Sequence, residues 1–367
     1  MKTVVAYISA HGFGHWAQMS PVLQALHDRD PDVRIVLRTN LPRTIMDARS
    51  AFPFALVPGQ VDVGMIQLDA VHEDVPATIA AVEQFHHNWD ERVRQEAGLL
   101  RETGADLVLS DIAPLAFAAA ACAGIPSIGL ASIDWHAIYT PLFPRGHFSL
   151  SQIAAAHRSC GLLLALPLGM PMPTFPRQRR IALIGAKGDA TRLELRRALG
   201  YADSDRVALV LFGGTKAPLF RIDALALVAG WQFMMVSESI PDGILPANVR
   251  CAPAGRRIVD LMRAADVIVS KPGYGIISET WQAARPLVYV PRTGFPEYPH
   301  QKEWLDANAP AAELDLRAFR DGDWSNALEA AFASGRAYPS CVAGGETEAA
   351  AMIHEALADG GPAMMKG

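Results

Sequence analysis

The chain has four cysteines in 367 residues, Cys122, Cys160, Cys251 and Cys341, and no two of them are close in sequence. This excludes a C-x-x-C zinc or redox motif and a disulfide framework, and it fits a reducing cytoplasm. No run reaches the roughly 18 uncharged apolar residues of a membrane span. The longest candidates, Pro114–Cys122 and Cys160–Leu168, are short. The amino-terminus lacks the basic stretch, apolar run and cleavage site of a secretory leader. An excess of basic charge is also missing: 33 Lys and Arg face 38 Asp and Glu, a formal net charge of −5, so there is no footprint for nucleic acid. The expectation is a cytoplasmic protein without a transmembrane segment or a nucleic-acid partner. Peripheral membrane contact stays open through the apolar loops Pro141–Leu150 and Leu166–Phe175, with buried packing as the alternative.

Half of the residues are apolar and 19% are charged, enough to build large cores, and the length suits about two domains. Short β-rich runs alternate with helical stretches, the pattern of parallel α/β units. In the first half the pattern predicts strands at Thr3–Ser9, Val33–Arg38, Ala55–Val57, Leu107–Ser110 and Ser127–Leu130, with helices near His15–His27, Pro42–Ala51, Pro76–Thr103 and Pro114–Ala123. In the second it predicts strands at Arg180–Ile184, Val207–Phe212, Gln232–Val236, Val249–Ala252, Val267–Ser270 and Leu287–Val290. Four prolines between Pro167 and Pro176 read as a linker, because proline interrupts helix and sheet alike. The expected plan is a Rossmann-like domain over 1–166, a linker over 167–177, a second Rossmann-like domain over 178–345 and a closing helix over 346–360 that packs on either domain. Two such doubly wound α/β domains would leave a cleft between the carboxyl ends of their sheets.

The stretch SAHGFGHWAQMSP, Ser9 to Pro21, follows the first predicted strand and formally fits G-x-G-x-x-A. A dinucleotide site needs a carboxylate at the end of the second strand, and that strand ends VLRTN, leaving only Arg38 for a 2′-phosphate. The histidines suggest different chemistry. His15 falls in the first turn of a helix, whose dipole disfavours positive charge on the ring and so suits a proton acceptor. Asp111, at the tip of the predicted strand ADLVLSD, is a natural carboxylate behind it. Capping of two helices is the bland alternative for the same pair.

In the second half LFGGTKAP offers the N–H groups of Gly213, Gly214 and Thr215 to an anion, without the Walker A spacing. The stretch VIVSKPGYGIISETW then runs from a strand through Lys271, Gly273 and Gly275 into a helix that carries Ser278 and Glu279. A glutamate there can reach a ribose diol while the loop faces phosphate. A plain carboxylate near a helix start is the alternative. No acidic metal motif is evident. Trp135, His136 and Tyr139, just past a strand end, could stack on an acceptor or simply pack in a core. The same choice holds for Phe85 and Trp89, and the adjacent His86 and His87 point apart on a helix, which disfavours a metal.

Taken together, HGFGH and SKPGYG resemble the nucleotide-sugar glycosyltransferases of the GT-B fold. The group includes the cell-wall N-acetylglucosaminyltransferase, glycolipid-forming glycosyltransferases and the amino-terminal region of plant L-arabinokinase. The resemblance implies that His15 in the amino-terminal glycine loop faces the acceptor, with Gly14 of that loop among the donor-binding residues. His15 would be the base, His11 the competing candidate and Asp111 its support. It implies that Gly213, Gly214, Thr215, Gly273, Tyr274 and Gly275 line the donor diphosphate, with Lys271 and Ser278 beside them. Glu279 would hold the ribose, and main chain around Arg257 and Ile258 would read the base edge. Glu297, His300 and Gln301 would touch the donor sugar. One departure is that the family's proline three residues after the loop histidine is absent, Pro21 being six away. The implied function is metal-independent, inverting transfer from a nucleoside-diphosphate sugar, UDP-linked by family weighting alone, to an acceptor hydroxyl on a small molecule, glycan or lipid. A nucleotide-sugar hydrolase or epimerase, or a non-catalytic nucleotide-sugar-binding protein, are the alternatives. No cofactor beyond the donor substrate is implied.

Overall fold

The computed structural model describes residues 1–367 except 48–49, 186–189, 213–218, 237–238, 241–243, 254, 341 and 361–367, and the side chain of Phe13. The expected diphosphate loop Gly213–Thr215 therefore lies outside the described residues.

Among the described residues the first sheet contains β1 (Thr3–Tyr7), β2 (Arg34–Thr39), β3 (Ala55–Pro58), β4 (Leu107–Ser110), β5 (Ser127–Ala131), β6 (Leu162–Ala165) and β7 (Gln178–Arg180). All pairs are parallel, in the order β3-β2-β1-β4-β5-β6-β7. The central strands β1, β4 and β5 are buried along their whole length. Helices cover both faces of such a sheet, so these strands read as unbroken apolar runs. The second sheet contains β8 (Arg206–Val210), β9 (Trp231–Met235), β10 (Val249–Cys251), β11 (Val267–Ser270), β12 (Leu287–Tyr289) and β13 (Ala311–Glu313). It is also parallel, in the order β10-β9-β8-β11-β12-β13. Both orders are the doubly wound 3-2-1-4-5-6 pattern, and each reverses direction between its first and fourth strands.

The predicted strands at the sheet centres stand within a residue or two of their places. The expected helix over 76–103 is two helices, Val75–His87 and Trp89–Thr103, because Asn88 adopts a non-helical backbone between them. Asp74 starts the first of the pair by accepting from Ala77 N–H at 2.9 Å. The first helix runs Phe13–Arg29 and carries Pro21 in its interior.

The boundary expected after residue 177 differs. Gln178–Arg180 is not the start of a second sheet but an exposed edge strand paired to β6 through Leu163 and Gln178. The proline-rich stretch thus connects two strands of one sheet. The chain divides into one compact unit of Met1–Ile66, Asp74–Ile184 and Val342–Gly367 and another of Gln67–Glu73 and Gly185–Cys341. The closing helix, Gly345–Asp359, packs on the helix Phe13–Arg29 of the first unit. Gly345 is required there, since a Cβ would lie 2.0 Å from the Ala182 carbonyl oxygen. In the apolar loops, Phe143 stacks on His147 and Phe175 on His157, so packing accounts for much of their character. No helix among the described residues is long and apolar enough to cross a membrane.

The short segment Gln67–Glu73 belongs to the second unit, although first-unit chain flanks it on both sides. A bridge between Gln67 and Glu73 closes it, and Leu68 N–H donates to His72 O at 2.8 Å. Its tip, Ala70 and Val71, is buried in the second core with Val210, Val269, Val288 and Val290. Glu73 accepts from Arg292 Nη2 at 2.7 Å, with the two side chains 1% and 7% exposed. Removing one partner of a buried ion pair leaves the other charge uncompensated. Glu73→Ala should therefore destabilise the protein by about 3–5 kcal/mol in denaturant unfolding, and Glu73→Leu with Arg292→Met should recover most of that loss. An unchanged midpoint in the single variant would remove the pair from the stability of the unit.

Candidate active site

In the first unit β1 and β4 are neighbours in the register Tyr7↔Ser110. The residues just beyond both strands are therefore placed side by side at the carboxyl edge, where the strand order reverses. Asp111 N–H donates to Tyr7 O at 3.2 Å, and Ser9 N–H points at both Asp111 carboxylate oxygens, at 3.2 and 3.3 Å. The chain then turns at Gly12, whose extended backbone caps the helix Phe13–Arg29 without a side-chain hydrogen bond. His15 in the first turn is brought back over Asp111, with Nδ1 2.8 Å from Oδ2. The Asp111 side chain is fully buried and that of His15 is 11% exposed. A carboxylate oxygen only accepts, so the ring nitrogen that faces Asp111 carries a proton, and in the neutral ring the basic nitrogen is Nε2. The expected base and its support are in hydrogen-bond contact. Gly14, in the same turn, has no described atom within 4 Å of a Cβ built on it.

A second carboxylate lies beneath the same loop. Ser9 Oγ–H donates to Asp62 Oδ1 at 3.0 Å, and Trp135 Nε1–H donates to Asp62 Oδ2 at 2.8 Å. Burial, reinforced by the charge of Asp111, pushes the Asp62 carboxyl up to about 6. His11 sits above this network: its N–H donates to Ser9 Oγ at 3.3 Å, and its Nδ1 accepts from Met65 N–H at 3.2 Å. The His11 ring meets Trp135 edge to face at 5.4 Å and His15 at 6.1 Å. Gly64, at φ +76°, permits this approach, because a Cβ there would lie 2.7 Å from the His11 side chain. Tyr139 O–H donates to Gly64 O at 3.1 Å and stacks on Trp135. Asp134 starts the helix Trp135–Tyr139 by accepting from Ala137 N–H. Trp135 and Tyr139 are thus buried supports of the site. His136 is half-buried.

Arg38 does not wait for a ligand. It bonds the Glu96 carboxylate and the carbonyls of Val57 and Pro58, and Tyr7 O–H donates to the same glutamate. The dinucleotide reading loses its basic anchor. Phe85 and Trp89 belong to a buried cluster, and His86 stacks on Trp89 while bonding Gln152. Exposed His87 shares none of this.

In the second unit the loops after β10, β11 and β12 lie at one sheet edge because the strands are parallel. Lys271 follows β11, and Gly273 caps the helix Tyr274–Ala283 with extended backbone and no side-chain bond. Its first-turn N–H groups are those of Tyr274, which is buried, and Gly275. A Cβ on Gly273 would meet no described atom within 4 Å. Burial, with Arg292 close by, brings the Lys271 ammonium down to about 7 against the opposing pull of Glu73 and Asp69. Ser278 donates back to Gly275 O and so serves its own helix, while Glu279 is buried on the next position. Beyond β12, Glu297 and Gln301 are buried and His300 is exposed. Gln301 Nε2 has no hydrogen-bond partner among the described residues. Arg257 caps the helix Ile258–Ala264 and pairs with Asp260 at 3.5 Å, placing it and Ile258 after β10.

No family model matches the chain. L-arabinokinase of Arabidopsis thaliana is 30% identical over 351 residues, which is 94% of this chain but 33% of that protein, so the chain spans about a third of its curated relative. Among solved structures, the spinosyn forosaminyltransferase superposes with a TM-score of 0.62 at 15% identity, covering 99% of this chain and 96% of that one. A UDP-glucosyltransferase from Polygonum tinctorium superposes with the same TM-score at 13% identity, covering 96% and 98%. The chain has the GT-B fold.

Within that GT-B frame, sequence reasoning paired His15 with Asp111, which the structure places in contact, but it did not single out Asp62, Gly64, Met65 or the contacts of His11. These residues lie in a loop after β3 that has no motif. The only hint was a lone Asp amid apolar residues in QVDVGM. The raised Asp62 value has a consequence for stability. Its neutral form is favoured in the fold, so this contribution is complete below about 3.8 and is lost as pH rises through about 6. Asp62→Asn should flatten the stability–pH curve between those values by up to about 3 kcal/mol relative to the parent. Thermal unfolding across that range would check it, and parallel curves for the two proteins would show that Asp62 does not titrate there.

Proposed function

We propose that this GT-B chain is a glycosyltransferase that moves a sugar from a nucleoside-diphosphate sugar, with a UDP donor as the first to try, to an acceptor hydroxyl. The observation that carries the reading is the His15–Asp111 pair, held at 2.8 Å where the first sheet reverses its order. His15 Nε2 takes the hydroxyl proton as that oxygen attacks the anomeric carbon. Asp111 compensates the imidazolium that forms. The transition state has oxocarbenium character, and a single displacement gives inversion. The departing diphosphate gains negative charge. The N–H groups at the helix start after Gly273 supply fixed positive potential for it, and the arriving negative charge favours the ammonium form of Lys271 beside them. On this reading no metal or cofactor is required. Glu279 takes the ribose, main chain at Arg257 and Ile258 the base, and Glu297, His300 and Gln301 the sugar. Gly213, Gly214 and Thr215 complete the diphosphate loop.

A hydrolase or epimerase could use the same donor residues. Rapid release of free sugar, or its conversion to an isomer without acceptor, would favour that alternative. The kinase in the name of the curated relative is not carried over, since the sequence contains no Walker A loop.

Calorimetric titration with UDP, dTDP, GDP and ADP should find one nucleoside diphosphate that binds tightly. Binding of none would overturn the donor site. His15→Ala should lower turnover by roughly 10²–10⁴-fold while leaving that affinity nearly unchanged. An active variant would remove His15 as the base. Glu279→Ala should instead weaken nucleotide binding by about 1–3 kcal/mol, and unchanged affinity would take Glu279 out of the donor site.

A further inference from the structure

We propose that Asp62 is a positioning residue for the base: held by Ser9 and Trp135, its carboxylate aligns the loop before His15 and adds a second negative charge near the imidazole that receives the proton. The part of this inference that concerns turnover rests on the glycosyl-transfer reading. The coupling between Asp62 and His15 does not.

Both oxygens of Asp62 are engaged by donors from different elements. Oδ1 accepts from Ser9 Oγ–H at 3.0 Å, and Oδ2 accepts from Trp135 Nε1–H at 2.8 Å. Ser9 is fully buried, and its two donors go to two carboxylates. The hydroxyl serves Asp62, while the N–H faces both oxygens of Asp111. The same Oγ accepts from His11 N–H at 3.3 Å, so the chain is pinned at Ser9 on its way from β1 to the helix Phe13–Arg29. His15 in that helix then meets Asp111 at 2.8 Å. One serine thus joins the carboxylate paired with the imidazole to a second carboxylate.

Charge couples the same groups. Facing Asp62 are Asp111 from the end of β4, His15 from the helix start, Ser9 and His11 from the loop after β1, and Trp135 and Tyr139 from the helix Trp135–Tyr139. Burial keeps Tyr139 protonated, so it brings no charge. Burial and then Asp111 oppose ionisation of Asp62 and bring its carboxyl up to about 6, whereas a charged His15 favours the carboxylate. Coupling between two sites is reciprocal. If the imidazolium favours the Asp62 carboxylate, that carboxylate favours the imidazolium by the same amount. A proton moved from an acceptor hydroxyl to His15 is therefore held by two negative charges, and the second is lost as pH falls through about 6.

Side-chain NMR on the full chain, following imidazole and ¹³C-carboxyl signals from acid to mildly alkaline pH, reads this coupling without any substrate. We expect the His15 ring signals to show a step where Asp62 ionises, besides their own titration. Asp62→Asn should abolish that step and make His15 bind its proton about threefold or more weakly. Trp135→Phe withdraws one donor from the carboxylate but keeps its charge. It should move the step to higher pH, and it carries the test if Asp62→Asn does not fold. His15 signals that ignore the ionisation of Asp62, or unchanged proton binding in Asp62→Asn, would overturn the proposal whether or not transfer is detected. Once a donor and an acceptor are in hand, the ratio of parent to Asp62→Asn kcat should grow about threefold or more as pH rises through about 6, with donor KM changed far less. A ratio independent of pH would reduce Asp62 to packing and would also overturn it. If transfer is absent with every donor and acceptor but the titrations are coupled, the glycosyl-transfer reading fails while the link between Asp62 and His15 survives.

Discussion

The bond between His15 and Asp111 is the constraint around which the first unit is arranged. A carboxylate without exposed surface is tolerated only where donors meet it, and Asp111 receives the Ser9 N–H as well as the imidazole. Ser9 lies in the loop after β1 and His15 in the first turn of the helix that follows that loop, while Asp111 itself directly follows β4. The parallel register of two adjacent strands therefore fixes the distance between ring and carboxylate to within a hydrogen bond. Any sequence that kept these side chains but shifted that register would lose the pair.

Charge divides the two units by task. Beneath the histidines of the first unit lie Asp62 and Asp111, linked through the backbone and hydroxyl of Ser9. Such a setting favours a proton in transit. The corresponding edge of the second unit carries Lys271 and Arg292 beside a helix start that has no acidic residue in its first turn. That setting favours an anion. Glu73 prevents the cationic edge from being uncompensated, and it does so from a stretch of chain far from either strand in sequence.

How much of this could be read from the residues depended on burial. Strands buried on both faces, such as VVAY and LVLS, declare themselves as apolar runs, and the glycine turns after them are equally plain. Exposed edge strands carry no such pattern: Gln178–Arg180 is a polar, arginine-rich triplet that becomes a strand only because β6 offers it an edge. Prolines misled for a related reason, since they break regular structure equally well within a unit and between units. The pairing of His15 with Asp111 was legible because Asp111 directly follows one recognisable strand and His15 opens the helix that a glycine turn joins to its neighbour. The partner of His11 was not, because it is a backbone N–H in a loop, and main-chain donors leave no trace in the identity of a residue.

The segment Gln67–Glu73 has a consequence for modularity. Folds made of two similar halves invite recombination, in which one half is exchanged at the connection between them. Here a cut at the proline-rich stretch would not separate the halves, because Ala70 and Val71 complete a core whose strands come more than a hundred residues later. A transplanted second unit would have a hole at that place and a buried arginine without its counter-charge. Exchange between relatives of this chain would thus require four crossover points instead of two, so evolution by swapping halves is constrained here by a seven-residue thread.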